Sequence, residues 1–154
     1  MKILDFLHEK DIIVGLHSTG KKDSITELID RLISSGRIKK KDKSKIIKAL
    51  MDREELGSTG IGQGIAIPHA KSNRIKGIIC AFGNSKKGIA FDALDGEPVY
   101  IIFLLLAEQD SSGVHLKALA KISRLLKDKF FRQGLRQSES SEEVVNIIKK
   151  EDIY

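Results

Sequence analysis

The chain has 154 residues, of which 41% are hydrophobic and 31% are charged. This length suits one domain with a buried core, and the composition is typical of a globular protein rather than of a disordered or fibrous chain. The formal net charge is +6, but the lysines are mostly interspersed with acids, and the dense run Lys39-Lys-Lys-Asp-Lys43 is predicted to be an exposed turn between helices. Because only 5% of the residues are aromatic and no zinc or RNA-binding motif is present, the sequence does not favour nucleic-acid binding.

Cysteine content and hydropathy favour a cytoplasmic protein. Cys80 is the one cysteine of the sequence, so no internal disulfide can form, and the residue is predicted to lie in the core of a protein from a reducing compartment. The apolar character of the N-terminus is interrupted at Asp5, so we expect no signal peptide. The longest apolar run, Val99–Ala107, is too short to span a bilayer, and no membrane insertion is expected.

The first third of the chain is predicted to be mainly helical. Residues 2–8 can form a short helical turn, and Ile12–Leu16 is a predicted strand. The clearest helix runs from Lys21 to Ser34, because its apolar residues recur at the helical period, and Gly36 is a suitable C-terminal stop. A second helix is predicted over residues 42–55. The residues predicted to be buried on the two helices are Ile25, Leu28, Ile29, Leu32, Ile33, Ile46, Ile47, Leu50 and Met51.

The middle of the chain is predicted to form strands. Its apolar runs are short, partly β-branched and separated by glycine, proline, asparagine or aspartate, which is typical of strands and turns. Val99–Leu106 is apolar on both faces, as expected of a central strand that is covered by helices on each side. The predicted strands are residues 65–67, 75–82, 88–91 and 99–106, and the predicted turns are Gly83-Asn84 and Asp95-Gly96.

Helices are predicted again after the polar segment Asp110-Ser-Ser-Gly113. One begins near Val114, Phe130-Phe131 open another, and Ser141–Lys150 form the last, with Ser140 or Ser141 as its N-cap. Helices at both ends and strands between them predict an α/β fold, a single domain over residues 1–154 with a mixed β-sheet flanked by helices on both faces. The buried stripe predicted for the first of these helices is Leu116, Leu119, Ile122 and Leu126.

A glycine-rich stretch, Gly57-Ser-Thr-Gly-Ile-Gly-Gln-Gly-Ile-Ala-Ile-Pro-His-Ala70, stands apart from the rest of the sequence. Its glycines allow tight packing and positive φ angles, and Pro68 ends the short strand that follows them. His69 comes next, at a strand end and beside a small alanine, where its ring is supported on one side and open on the other. A lone histidine after a strand is more often a surface or capping residue than a catalytic one. Only the surrounding motif can therefore favour a functional role for His69.

The string Leu56-Gly57-x-x-Gly60, continuing to Gly64-Ile-Ala-Ile-Pro-His-Ala70, closely resembles the phosphorylation-site signature of enzyme IIA domains of the fructose/mannitol class. These domains belong to the phosphoenolpyruvate-dependent sugar phosphotransferase system. The signature is long and specific, and the resemblance covers essentially the whole chain. It implies that His69 accepts a phosphoryl group. An imidazole with an ordinary pKa near 6.5 suits that role, because it is largely neutral at pH 7 and has a free lone pair.

The same resemblance implies two further active-site residues. His115 matches a second histidine of the family, which donates a hydrogen bond to the phosphoryl group; the predicted helix start would favour a phosphate there and lower the histidine's pKa. Arg53 matches an arginine whose guanidinium can hold two phosphoryl oxygens. The alternatives are a helix-capping role for His115 and a solvated helix arginine, paired with Glu54 or Glu55, for Arg53.

Four residues of the glycine-rich stretch are weaker candidates for phosphate contacts: Ser58, Thr59, Gly62 and Gln63. At position 63 the chain departs from part of the family. Some sugar-transporting relatives carry an acidic residue there, whereas this chain has Gln63 and relatives of the nitrogen-regulatory branch carry an amide. Members of that branch are free-standing domains without attached IIB or IIC components, and this chain is expected to be one too. The amide leaves phosphoryl acceptance plausible but can alter the choice of partner.

The sequence therefore predicts a phosphotransferase that works as a phosphohistidine carrier without a cofactor. Its expected partners are an HPr-like phosphohistidine donor and a IIB component or a regulated target; transport and regulation stay open, as do the sugar and the oligomeric state. The alternative is a binding module that acts by docking without turnover. No metal is expected, since His69, His115 and a carboxylate match no zinc motif, and His8 and His17 are predicted to be surface residues.

Overall fold

The computed structural model describes residues 1–153, apart from the side chain of Ser112. In this part of the chain six strands and five α-helices are joined by short loops, with 3₁₀ turns at Ile3–Asp5 and Lys40–Asp42. The strands are β1 (Leu7–Val14), β2 (Gly60–Gly62), β3 (Ile65–Ala66), β4 (His69–Ser72), β5 (Ile78–Ile89) and β6 (Val99–Glu108). The helices are α1 (Lys21–Ser34), α2 (Lys43–Glu55), α3 (Ser112–Leu125), α4 (Lys129–Gln137) and α5 (Ser141–Glu151).

All six strands form one mixed sheet in the order β1-β5-β6-β3-β2, and β4 also pairs with β6. β1 runs parallel to β5, while β5 and β6 are antiparallel. β3 and β4 follow each other along the same side of β6, both parallel to it, with Ile65 opposite Ile101 and His69 opposite Leu105. The predicted mixed sheet is confirmed, and β6 is its central strand.

Side chains of β6 alternate between two hydrophobic clusters, one on each face of the sheet. Ile102, Leu104 and Leu106 join the cluster formed with α1 and α2, whereas Ile101, Phe103 and Leu105 join the cluster formed with α3, α4 and α5. This alternation follows from the two-residue period of a strand. Because helices cover both faces, the strand is apolar throughout, as its sequence predicts.

The helix signals at both ends of the chain are confirmed. α1 has the predicted bounds, and Gly36 adopts φ +83° while its N–H donates to the carbonyl of Ile33. α2 begins one residue later than predicted. At α5 the N-cap is Ser140, whose hydroxyl accepts a hydrogen bond from the Glu143 N–H at 3.1 Å.

The turn predicted at Gly83-Asn84 is wrong, because both residues lie inside β5, opposite Ile102 and Ile101. Gly83 is needed for packing: a Cβ there would lie 2.7 Å from a methyl carbon of Leu16. The buried amide of Asn84 accepts from the Gly15 N–H at 2.8 Å and donates to two carbonyls near the end of α4. Residues that usually form turns thus serve here to pack neighbouring segments against a continuous strand.

Three other expectations need correction. The strand predicted at Ile12–Leu16 begins earlier, at Leu7, and the predicted turn over residues 2–8 is limited to Ile3–Asp5. Leu116 is not buried but 66% exposed, because the inward face of α3 carries His115, Ala118 and Ile122 instead.

None of the helices in the described residues is long and apolar enough to cross a membrane.

Candidate active site

His69 is the first residue of β4, and not the residue after a strand that ends at Pro68. Pro68 has no N–H to donate, so the pairing with β6 is interrupted between the end of β3 and the start of β4. The Pro68 carbonyl still accepts a hydrogen bond from the Leu105 N–H at 2.9 Å, and β4 continues the pairing from His69. The histidine is therefore held by a strand on the central strand of the sheet, and its side chain is half-buried.

The ring of His69 has a defined tautomer. Its Nδ1 lies 2.7 Å from the carbonyl oxygen of Ile67. A carbonyl can only accept a hydrogen bond, so Nδ1 carries the proton and Nε2 keeps the lone pair. Burial lowers the pKa of His69 and the charge of Arg53 lowers it further, against the opposing effects of the Ile67 bond and of Glu54. The ring is therefore neutral at pH 7 and presents a nucleophilic nitrogen.

His115 lies in the first turn of α3 with its side chain on the buried face of the helix. The residue is 6% exposed, and its Nε2 has no hydrogen-bond partner among the described residues. The helix is not capped by His115, because Ser111 holds the N-cap position and its carbonyl accepts the His115 N–H at 3.0 Å. The capping alternative thus fails, and one buried nitrogen of the imidazole, Nε2, remains without a hydrogen bond to the described residues.

The two imidazoles form a pair. Their ring centroids are 5.5 Å apart, and the planes meet edge to face at 68°. Burial is the main cause that lowers the pKa of His115 to about 4, with smaller contributions from His69 and Lys71. The helix start was expected to lower this pKa, and the direction agrees although the principal cause is burial. Both rings are neutral at pH 7, so neither repels the other by charge.

Arg53 projects from the last turn of α2 into the same cleft. One guanidinium nitrogen, Nη1, donates to the Gly57 carbonyl at 2.8 Å. No carboxylate of the described residues forms an ion pair with it, which excludes the predicted alternative of pairing with Glu54 or Glu55. The remaining N–H groups of the fork are available for an anion beside His69.

The hydroxyls of Ser58 and Thr59 are already used within the protein. Ser58 Oγ donates to the Phe91 carbonyl at 3.2 Å and accepts from the Gly60 N–H at 3.0 Å. Thr59 is 3% exposed, and its Oγ1 donates a short hydrogen bond to the carboxylate of Glu54. Either hydroxyl would have to give up its partner to contact a phosphate, so their predicted role has no support in this conformation.

Gly62 and Gln63 lie outside the cleft that contains His69. They line a neighbouring cavity with Arg132, and the Gln63 side-chain oxygen accepts from Arg132 Nη2 at 3.4 Å. Both residues have positive φ angles, +100° and +60°. The structure thus brings together His69, His115 and Arg53 but not these two residues, whose contact with phosphate stays a prediction.

The cleft around the two histidines has a volume of about 640 Å³ and a largely apolar rim. Leu56, 85% exposed, stands on one side and Leu116, 66% exposed, on the other. Lys71 also lines it, on the same face of β4 as His69 because the two residues are two positions apart along the strand. The sequence interpretation missed these three; predicting a strand after Pro68 would have placed Lys71 next to the site.

This arrangement can support transfer of a phosphoryl group to nitrogen. The His69 lone pair could act as the nucleophile, while Arg53, Lys71 and the ring of His115 line the same cleft and could contact equatorial oxygens. A separate general base is unnecessary because the attacking nitrogen carries no proton. The open apolar rim differs from the enclosed pocket usual for small substrates and is typical of a surface that meets another protein.

The chain is similar to several proteins of known family. A fructose-specific EIIABC component from Bacillus subtilis is 36% identical over 152 residues, which are 99% of this chain but 24% of that longer protein. A nitrogen regulatory protein from Bradyrhizobium diazoefficiens is 33% identical over 148 residues, covering 96% of this chain and 95% of the relative. The crystal structure of nitrogen regulatory protein IIA-Ntr from Neisseria meningitidis superposes with a TM-score of 0.85 at 34% identity, covering 95% and 98% of the two chains.

A family model extends the resemblance to nearly the whole chain. The model described as "Phosphoenolpyruvate-dependent sugar phosphotransferase system, EIIA 2" matches residues 5–151. That range includes the six strands, the five helices and the candidate site residues Arg53, His69 and His115. A match of this extent, with the same fold in a relative of similar length, shows that the chain belongs to the EIIA 2 family of the phosphoenolpyruvate-dependent sugar phosphotransferase system.

Proposed function

We propose that the protein is a phosphohistidine carrier, phosphorylated on Nε2 of His69 by an HPr-like protein. The observation that carries this proposal is the 2.7 Å contact between His69 Nδ1 and the Ile67 carbonyl, which leaves the lone pair on Nε2 in an open cleft. Family membership supports phosphoryl transfer in general. The choice of His69 as the acceptor rests on the site geometry and on its place in the glycine-rich motif.

The transfer is a displacement at phosphorus. The Nε2 lone pair forms a new P–N bond, the P–N bond of the donor phosphohistidine breaks, and the donor imidazole leaves with the electron pair. No proton has to move, because the His69 proton remains on Nδ1 and stays hydrogen-bonded to Ile67. The positive charge that the ring acquires is stabilised by that carbonyl, and Arg53 and Lys71 offset the charge on the phosphoryl oxygens.

The exposed leucines at the rim favour a protein as the donor and as the acceptor. Leu56 and Leu116 are exposed on the rim of one largely apolar cleft, and a grouped apolar surface of this kind is typical of a site that meets another protein. The acceptor is a IIB component or a regulated protein. Similarity to a fructose-specific EIIABC component is consistent with the first, and similarity to nitrogen regulatory proteins with the second. The reaction takes place in the cytoplasm, in keeping with the buried thiol of Cys80.

Mass spectrometry tests the proposal directly. Incubation with phosphoenolpyruvate, enzyme I and an HPr should add the mass of one phosphoryl group, in a bond that is labile to acid and stable to base. Peptide mapping should place the group on His69. An unchanged mass with donors that phosphorylate a control IIA protein would contradict the proposal and favour a module that acts by docking alone.

A further inference from the structure

Glu54 is the residue after Arg53 on α2, but it points into the protein instead of into the cleft. Its side chain is 2% exposed and lies 3.1 Å from the ammonium group of Lys21, the first residue of α1. Thr59 donates to the same carboxylate twice, through its hydroxyl and through its N–H at 3.1 Å. A buried carboxylate is costly unless it is paired and hydrogen-bonded, and these three contacts meet that requirement.

The loop that follows α2 is attached to Glu54 at two points. The Gly57 N–H donates to the Glu54 carbonyl at 3.1 Å, and Thr59 is held by the carboxylate. Gly57 in turn provides the carbonyl that accepts the Arg53 guanidinium at 2.8 Å. The position of the arginine fork therefore depends on a loop whose place is set by the buried carboxylate.

The other side of the same loop leads to His69. The Thr59 carbonyl accepts the N–H of Ile67 at 3.1 Å, and the Ile67 carbonyl accepts Nδ1 of His69 at 2.7 Å. The loop anchored by the contact between Glu54 and Thr59 thus reaches both sides of the site. Gly57 of this loop holds the arginine, and the Thr59 carbonyl leads through Ile67 to His69.

We propose that Glu54 and Thr59 are positioning residues for phosphoryl transfer, and that their buried contact fixes the distance and orientation between Arg53 and His69. The inference rests on the proposed function and gives Thr59 a different role from the phosphate contact expected from its sequence. Neither residue touches the phosphoryl group. Because a displacement of about 1 Å in a catalytic group can cost about a hundredfold in rate, loosening this contact affects the chemical step.

The variant Thr59→Val tests the proposal, because valine keeps the shape and removes the hydroxyl. We expect kcat for phosphorylation by the HPr donor to fall about tenfold to a hundredfold with little change in KM, since the docking rim is intact. Thr59→Ser, which keeps the hydroxyl, should restore most of the rate. In an Arg53→Ala background the same valine substitution should have a smaller effect, because part of its action passes through the arginine.

Lys21→Met gives a second test, in which no residue of the loop is substituted and the ion pair of Glu54 is lost. Lys43→Met is its control. Both lysines join α1 to α2 by an ion pair, but Lys43 meets the exposed Asp30 at 2.8 Å, far from the loop. We expect the rate to fall for Lys21→Met and to stay at the wild-type value for Lys43→Met. Equal rates in both variants, together with a normal kcat in Thr59→Val, would overturn the proposal.

Amide hydrogen exchange provides a readout that does not depend on phosphorylation. In Thr59→Val the N–H groups of Gly57 and Ile67 should exchange faster, while those in the centre of β6 keep their protection. If the wild-type protein accepts no phosphoryl group from active donors, the proposed function fails, but the exchange rates still test the positioning. Unchanged protection of both amides would contradict it.

Discussion

The two histidines of the cleft are proposed to have different tasks, because their side chains differ in exposure. In the proposed transfer His69, whose half-buried ring opens into the cleft, supplies the atom that bonds to phosphorus, whereas the buried ring of His115 orients or hydrogen-bonds the group. We therefore expect His69→Ala to abolish phosphorylation. His115→Ala should retain it at a rate about tenfold to a hundredfold lower, since a hydrogen bond to a charged group is worth about 1.5–3 kcal/mol. Phosphorylation rates measured by intact mass give both values.

The opposite pattern would reverse the assignment. If His115→Ala blocked all phosphorylation while His69→Ala was still labelled, His115 would be the acceptor. If both single variants were labelled at the wild-type rate, neither histidine would be the nucleophile. Thermal unfolding of each variant at pH 7 provides the control that the fold is retained.

Burial of His115 makes stability depend on pH. The pKa of this residue is about 4 in the folded protein, against an ordinary value of 6.5, so between these pH values the unfolded chain binds a proton that the folded chain does not. Stability should therefore fall as the pH decreases through this window, and the histidine should cause no such loss above pH 6.5. In His115→Gln the decrease in Tm between pH 7 and pH 5 should be smaller. An equal decrease in both proteins would show that other groups cause it.

At the scale of elements, the last turn of α2 carries Arg53, a proposed active-site residue whose side chain contributes little to the core. We expect Arg53→Ala to slow phosphorylation about 10²–10³-fold, as loss of one preorganised donor does. The free energy of unfolding should change by about 0.5 kcal/mol or less, because the side chain makes one hydrogen bond at the surface. Lys45→Ala, also exposed on α2, is the control and should leave both quantities unchanged. A large loss of stability with normal transfer would make Arg53 a structural residue.

The close packing of Gly83 in β5 against Leu16 predicts how a substitution there changes stability. A methyl group at Gly83 would overlap Leu16, so Gly83→Ala should destabilise the protein by about 1–3 kcal/mol through overpacking. Gly113→Ala, inside α3, is the control, since a Cβ there meets no atom of the described residues within 4 Å. Denaturant unfolding measures both. Equal stability of the two variants would contradict the close packing of β5 against Leu16.

The same elements show what the sequence could and could not predict. The period of apolar residues predicted α1 with its bounds, and the apolar run at Val99 predicted a central strand, because both signals are local. Gly83-Asn84 was misinterpreted, since its reason lies in Leu16 and in the end of α4, which are distant in sequence. The motif led to His69, but the tautomer of its ring, the exposure of Leu116 and the contact between Glu54 and Thr59 depend on tertiary structure.

At the scale of the whole molecule, the proposed catalytic groups and the proposed docking rim can be tested separately. Leu56 and Leu116 flank the cleft but carry no group that can act on phosphorus. We expect the double variant Leu56→Ser, Leu116→Ser to show a raised KM for the HPr donor, because apolar contacts at the rim are lost. Its phosphorylation by a small donor such as phosphoramidate, which needs no docking, should keep the wild-type rate. Leu94→Ser is a matched control, since Leu94 is 72% exposed but lines no part of the cleft.

The comparison of two donors decides what the rim does. Equal losses with the protein donor and with phosphoramidate would mean that the leucines support the site itself, and the docking role would be wrong. No loss with either donor would place the partner elsewhere on the molecule. A loss with the protein donor alone, absent in Leu94→Ser, would show that the apolar rim recognises the protein donor and is not needed for the chemical step itself.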